Sequence, residues 1–319
     1  MRYGVPYQGS KNKIAQWVIS NLPSGDTLID LFAGGCSITH AAILSGKWNR
    51  IVANDIGDAP QLFMDAIHGK YANEKRWISR EEFYRLKDSD AYVSLCWSFG
   101  NNRSNYLYAR EIEPWQKALH FARVHNDYSL FREFGIKTTG SGKDILENGS
   151  VYKEKYIKWW LSQQTESDTK KRLQSLERLQ SLERLQSLER LQSLQRLQSL
   201  QRLQSLQRLQ EDYVKVQIPD DAIVYADPPY NGTNCTGYKC EFDHKAFEQW
   251  LEKVPFMVIV SEYKAPAGCV EIASIKKQST MGNGNKGGCK TERLFVQEKF
   301  LNKYKNLMLL EHGEQLTMI

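Results

Sequence analysis

Thr27-Leu28-Ile29-Asp30-Leu31-Phe32 runs directly into Ala33-Gly34-Gly35-Cys36-Ser37, and Ile38, Ala41, Ala42 and Leu44 follow at helical spacing. The first six residues are apolar and β-branched enough to read as a buried strand. A strand, a glycine turn and a helix make the first unit of a doubly wound α/β fold. The glycines let a ligand approach the backbone closely. The turn is not the GxGxxG fingerprint, so a bound phosphate is not required. Arg50-Ile51-Val52-Ala53-Asn54-Asp55-Ile56 reads as the second strand, with an acid at its end. An acid there accepts both hydroxyls of a ribose, or it caps the next helix.

Further along, Ala222-Ile223-Val224-Tyr225-Ala226 reads as another buried strand, followed by Asp227-Pro228-Pro229-Tyr230. Ligands of open α/β sheets bind at carboxyl ends of strands. Two prolines fix φ and remove two backbone donors, so the carbonyls of this turn point outward. A carboxylate, a carbonyl and an aromatic face suit a flat substrate with an exocyclic amino group. The bland alternative is a proline-rich loop after a strand.

Asp227-Pro228-Pro229-Tyr230 resembles motif IV of the amino-methyltransferases, which act on adenine N6 or cytosine N4. Together with the glycine turn and Asp55, it resembles the class I S-adenosylmethionine-dependent methyltransferases. In detail the chain looks like the Dam-type DNA adenine-N6 methyltransferase family. Tyr7-Gln8-Gly9-Ser10-Lys11 resembles that family's motif X, Asp30 to Gly35 its motif I, and Asn54-Asp55 its motif II. Glu211-Asp212-Tyr213 resembles the segment before motif IV, Phe256 to Tyr263 the motif VI strand, and Glu292 to Val296 the last strand. Cys36 departs mildly from the glycine or small residue usual there.

The resemblance implies a doubly wound, Rossmann-like methyltransferase sheet with an inserted, mainly helical target-recognition domain. It implies S-adenosyl-L-methionine as cofactor and an adenine flipped out of double-stranded DNA as substrate. Asp227, Pro228, Pro229 and Tyr230 become the expected catalytic residues. Tyr7, Lys11, Asp30, Phe32, Ala33, Gly34, Gly35, Ser37, Asp55, Asp212, Tyr213 and Asp227 become the expected cofactor contacts. The expected DNA contacts are Gly9, Ser10, Trp97, Asn101, Asn102, Arg103, Asn105, Asn231 and Lys286. GATC is the family's commonest site, but base-reading residues transfer poorly between members. Alternative readings are a cytosine-N4, RNA or protein amino-methyltransferase, or a non-catalytic DNA-binding protein on the same fold. Protein-glutamine enzymes usually carry Asn at the first position of motif IV, which argues against that reading.

The chain has 319 residues and a net charge of +6, which permits a nucleic-acid partner without demanding one. Its six cysteines form no CxxC pair, so neither a zinc site nor a disulfide framework is expected, and a reduced cytoplasm fits. No apolar run is long enough for a membrane span, and the first residues lack a secretory h-region.

Roughly 170 residues separate Asp55 from Asp227, whereas a crossover needs only a few tens. The catalytic domain is therefore expected over 1–56 and 211–305, with a recognition domain over 57–160 and a tail from 306 to 319. Pro60 to Ile67 and Ser79 to Leu86 read as helices. Val93 to Tyr108 mixes aromatics, Gly, Asn and Arg; it reads either as a base-contacting segment or as a strand with a turn at Gly100-Asn101-Asn102. Polar Lys137 to Gly142, and Lys153 to Lys158 with Trp159-Trp160, are candidates for phosphate contact.

From Arg172 to Gln210 the chain repeats the hexad Arg-Leu-Gln-Ser-Leu-Glu, with Gln replacing the Glu in later copies. Leucine falls at every third residue. That spacing fits an α-helix poorly, each step falling about 60° short of a turn. Composition nevertheless favours helix. Residues 161–210 are expected to form a long helical projection that the fold tolerates. The protein is expected to be a monomer, with self-association through the leucines as the alternative. Tyr213 to Val216 reads as a strand after the repeat, and Phe242-Asp243-His244 as a helix start.

Overall fold

A computed structural model describes residues 2–163, 186–202, 206–230, 242–278 and 289–317. Within these, seven strands form one sheet: β1 (Gly25–Asp30), β2 (Trp48–Asn54), β3 (Leu206–Leu209), β4 (Ile223–Ala226), β5 (Val258–Glu262), β6 (Cys269–Gln278) and β7 (Cys289–Gln297). Their order is β3-β2-β1-β4-β5-β7-β6. The first five pair parallel with one another, and β7 runs antiparallel to both β5 and β6. The strand order reverses between β1 and β4, which opens a crevice at their carboxyl ends.

Side chains alternate across the pleat and fill two cores. Leu28, Ile51, Ile223, Tyr225, Ile259, Leu294 and Val296 face one layer. Helix α1 (Ala15–Ser20) and helix α2 (Ser37–Ser45) cover it. Ile29, Val52, Val224, Ala226, Val258 and Val260 face the other layer, with Phe247 and Leu251 of a later helix. Burying both faces explains why these strands read as nearly continuous apolar runs.

The chain divides into two compact units, one of Met1–Gly69 with Arg196–Ile319, the other of Lys70–Gln195. The first holds the sheet. Helix α3 (Ala59–Ile67) follows β2 there. The second is helical: α4 (Arg80–Leu86), α5 (Ala91–Cys96), α6 (Glu113–His120), α7 (Gly142–Ser162) and most of α8 (Gln186–Leu197). Ser79 and Glu82 close a capping box on α4. Trp115, Phe131, Phe134, Tyr152 and Tyr156 form an aromatic core.

Four expectations need correction. Val93 to Cys96 lies in helix α5, because Asp90 caps it by accepting from Tyr92 and Val93 N–H groups. Tyr213 to Val216 is not a strand. Asp212 turns the chain there, its side chain accepting from Val214 N and its carbonyl from Lys215 N. The repeat is not one long helix: after α8 and a 3₁₀ stretch it ends as edge strand β3, paired to β2. Nor is its described part a projection. Within the second unit, Arg190 Nη1 donates to the carbonyls of Cys96 and Ser98 at 2.8 Å, and Ser187 meets the Tyr108 hydroxyl. Residues 164–185 and 203–205 of the tract lie outside the described residues.

The sheet unit closes with helix α9 (His244–Lys253), capped by Asp243, and helix α10 (Leu301–Thr317). The expected tail is therefore largely helix, and Glu311 pairs with Lys47 at 2.7 Å.

Candidate active site

Asp227 follows β4 in the crevice, and three neighbouring elements surround it. Lys11 Nζ lies 2.8 Å from Asp227 Oδ1 and 3.4 Å from Glu292 Oε1. The same ammonium sits 4.3 Å from the centre of the Tyr230 ring. The Tyr230 hydroxyl is 3.0 Å from Ser261 Oγ and donates to Glu292. Ser261 Oγ in turn donates to Glu292 Oε1 at 3.1 Å. Tyr263 packs edge-on against Tyr230 at 4.5 Å. Lys11 and Glu292 are buried, whereas the Asp227 side chain keeps 17 % of its exposure.

Burial raises the carboxyl pKa of Asp227, Lys11 opposes that rise, and Glu292 adds to it. Burial would lower the Lys11 pKa, but Asp227 and Glu292 outweigh it and hold the ammonium charged. The motif X lysine, expected at the cofactor, stands on the Asp-Pro-Pro-Tyr motif.

The glycine turn lies across the crevice. Val5 N donates to Gly35 O at 2.8 Å, and Tyr7 covers the turn. A Cβ on Gly34 would stand 2.7 Å from the Tyr7 ring, and one on Gly35 2.5 Å from Tyr7 Cβ. Gly34 also has a φ of +47°. These glycines therefore admit the chain's own motif X segment, not only a ligand. Cys36 is buried at φ +57°, a left-handed position unusual for a side chain.

Asp30, at the end of β1, is 1 % exposed. Its Oδ2 accepts from Thr39 Oγ1 at 2.6 Å and Thr39 N at 3.0 Å, in the first turn of α2. Its Oδ1 is buried with no hydrogen-bond partner. Burial lifts its carboxyl pKa to about 7, against the Thr39 hydrogen bonds. A buried acceptor of this kind fits a cationic donor such as an amino-acid ammonium. Ser37 begins the same helix and is buried. Ala33 N donates to Asn54 O.

Asp55 braces the turn, taking Gly34 N at 2.8 Å on Oδ2 and Gly57 N at 2.7 Å on Oδ1. Asn54 stitches the next segment in place. Its amide donates to Leu31 O and Glu211 O, both at 3.1 Å, and accepts from Glu211 N at 3.1 Å. Asp212 and Tyr213 follow directly. Phe32 packs tilted against Tyr213 at 5.4 Å and edge-on to Phe242 at 5.7 Å, forming an aromatic cluster.

Asn54, Ser261 and Glu292 stood inside the motif II, motif VI and last-strand matches but were not among the expected site residues. A signal did exist for Glu292: it shares a strand face with Leu294 and Val296, where a charge is out of place.

The expected DNA contacts distribute unevenly. Ser10 Oγ accepts from Asn12 N at 3.3 Å, and Gly9 sits at φ +81° with open space beside it. Trp97 is buried, edge-on to Trp77 at 5.1 Å, so it packs the second unit's core. Its neighbours form a pinned loop. Asn101 Nδ2 donates to Leu95 O, Arg103 N to Ser98 Oγ, and Asn102 Oδ1 accepts from Ser104 N and Asn105 N. Asn101 and Arg103 are held at φ +59° and +61°. The loop presents Phe99, 62 % exposed, an aromatic within Val93 to Tyr108 that is not among the expected DNA contacts. Asn231 and Lys286 lie outside the described residues. No group of His, Cys, Asp or Glu among the described residues could hold a metal ion, and no helix among them is long and apolar enough to cross a membrane.

A seven-stranded sheet of this order, with Asp-Pro-Pro-Tyr at the reversal of strand order, is consistent with a Rossmann-like methyltransferase. The chain belongs to the family of D12 class N6 adenine-specific DNA methyltransferases, whose pattern matches residues 7–271. It is also 43 % identical over 53 residues to the Type II methyltransferase M2.HphI of Haemophilus parahaemolyticus. That stretch is 16 % of this chain and 15 % of the relative, so the chain matches well under a fifth of that protein's length.

Proposed function

We propose that this protein transfers a methyl group to N6 of an adenine extruded from double-stranded DNA, at a defined sequence. The observation that carries this reading is the convergence on Asp227: a strand-end carboxylate beside two prolines, with Lys11 at 2.8 Å and an anchored Tyr230 ring. When bound, S-adenosylmethionine supplies the electrophilic methyl on its sulfonium. The unpartnered Oδ1 of Asp30 would receive its ammonium. Asp55 would take the ribose hydroxyls, and the Phe32–Tyr213 cluster would line one side of its adenine.

Adenine N6 is a weak nucleophile because its lone pair is delocalised into the ring. Asp227 and the Pro228 carbonyl would accept its two hydrogens and favour a pyramidal nitrogen. Tyr230 would stack on the base. Lys11 favours the ionised form of Asp227, against burial and Glu292, so the carboxylate can accept the proton that becomes acidic as the nitrogen gains its methyl group. Most of the acceleration would come from positioning in a desolvated site.

The unit of Lys70–Gln195 is proposed as the recognition domain, with the Phe99 to Asn105 loop meeting the duplex. Exposed aromatic and amide side chains on a strained, pinned loop suit a wedge against base pairs. Sequencing DNA from a host expressing this chain, with modified bases detected, tests the reading. N6-methyladenine in one recurring word supports it, and DNA without new methylation refutes it.

A further inference from the structure

We propose that Glu292 is the positioning residue of the transfer centre, fixing the Lys11 ammonium and the Tyr230 ring together around Asp227. This inference rests on the proposed adenine-methylating activity and adds to it a residue from the far side of the sheet. Glu292 lies near the start of β7, opposite Ile275 of β6. Because β7 runs antiparallel to β5, its amino end meets the carboxyl ends of β4 and β5. A site expected only at carboxyl ends of strands thus gains a side chain from the beginning of one.

The placement is unfavourable unless it serves its neighbours. Glu292 is 1 % exposed and shares its strand face with the core residues Leu294 and Val296. A carboxylate there needs a counter-charge and donors. Lys11 Nζ at 3.4 Å, Ser261 Oγ at 3.1 Å and the Tyr230 hydroxyl supply three of them. Two of these three belong to the residues that flank Asp227. Tyr230 is held at its hydroxyl, so its ring plane is set for a base. Lys11 is held between two carboxylates, 2.8 Å from Asp227 and 3.4 Å from Glu292, so its charge is shared between them.

Removing one of two acids also changes the field at Asp227. Lys11, Asp30, Tyr225, Tyr230, Tyr263 and Glu292 face that carboxylate. Glu292 opposes its ionisation and Lys11 favours it. Glu292→Gln keeps the shape and an acceptor while removing the charge. Lys11 is then left to Asp227 alone, and the pH at which Asp227 ionises falls.

The test uses the full chain, labelled S-adenosylmethionine, and adenine-unmethylated bacterial genomic DNA as duplex substrate. Glu292→Gln is expected to bind S-adenosylmethionine within about twofold of wild type. Its single-turnover transfer rate should fall at least tenfold, and the acid limb of its rate–pH profile should move to lower pH. Tyr230→Phe should also slow transfer, and combining it with Glu292→Gln should cost less than the product of the two effects, because both break one linkage. A Glu292→Gln enzyme with wild-type rate and an unmoved profile overturns the proposal. If that variant does not fold, Ser261→Ala with Tyr230→Phe tests the same linkage, and an additive pair overturns it. A wild-type chain that methylates no DNA would instead refute the underlying activity, so the two failures are distinct.

Discussion

Leu194 and Leu206 each open the same five residues, Leu-Gln-Arg-Leu-Gln, yet Leu194 lies in helix α8 and Leu206 begins strand β3. Gln195 donates its amide to the carbonyls of Tyr71 and Ala72 at 3.3 and 3.1 Å. Gln207, its copy, accepts from Arg50 at 2.6 Å across the sheet edge. A leucine period of three matches neither 3.6 nor 2, so local pattern leaves the conformation undecided and tertiary partners decide it.

This degeneracy makes a sharp prediction. Removing Arg178 to Glu189 brings Gln174-Ser175-Leu176-Glu177 before Arg190, the same four residue types as Gln186-Ser187-Leu188-Glu189. The shortened protein is expected to fold, with its melting temperature within a few degrees of wild type, and to methylate the same DNA word. Gln195→Glu, a single change, should do worse. It turns a carboxylate toward two carbonyls, at a loss of about 1–3 kcal/mol. A deletion variant that fails to fold, beside a Gln195→Glu variant as stable as wild type, would contradict this view of the tract.

Asn54 joins the end of β2 to the Glu211 backbone through both ends of its amide. Asn54→Ala removes three hydrogen bonds, one buried and two partly buried, and a loss of about 2–3 kcal/mol is expected. Denaturant unfolding should register that loss. Calorimetry should show weaker S-adenosylmethionine binding, because Asp212 and Tyr213 are no longer held. Unchanged affinity would remove Asn54 from the binding site's support.

The buried carboxyl of Asp30 titrates near pH 7 instead of near 4 because burial disfavours its charge. Its folded pKa lies above its unfolded one. The stability it contributes is present below pH 4 and is lost as pH rises through about 7. Binding of a ligand ammonium needs the ionised form, so cofactor binding should release a proton. Affinity is expected to rise with pH up to about 7 and then level off. Asp30→Asn should abolish that dependence and weaken binding, while raising the melting temperature of the unliganded protein at pH 8. A flat affinity–pH curve for the wild type would overturn the assignment.

His40 acts in the opposite direction. Its Nδ1 accepts from Gly4 N at 2.9 Å, and burial lowers its pKa to about 4. The unfolded chain therefore binds a proton that the folded one refuses between pH 6.5 and 4. Stability should fall across that window by about 3 kcal/mol at most. His40→Asn should melt with less dependence on pH there. An equally steep loss in the variant would locate the acid sensitivity elsewhere.

Much of this was legible from the sequence because apolar runs and turn residues agree with the tertiary fold. Gly34-Gly35 and Asp227-Pro228-Pro229-Tyr230 mark strand ends that any doubly wound sheet would use. Lys11 was legible as a motif residue but not as a partner of Asp227, since contact across more than two hundred residues leaves no local trace. Glu292 was hidden by the antiparallel strand, which brings an amino end to the site. Phe99 was hidden because burial of Trp97, two residues earlier, is decided by packing against Trp77 and not by composition.

The Asp227 centre itself is tested most directly by nucleoside mass spectrometry of duplex DNA incubated with S-adenosylmethionine and either wild-type protein or Asp227→Ala. The variant's folding and cofactor affinity are to be confirmed first. The wild type is expected to produce N6-methyladenine, and the variant less than a tenth as much while binding the cofactor normally. N4-methylcytosine as the product, or a variant that retains more than a tenth of the wild-type turnover, would contradict the account.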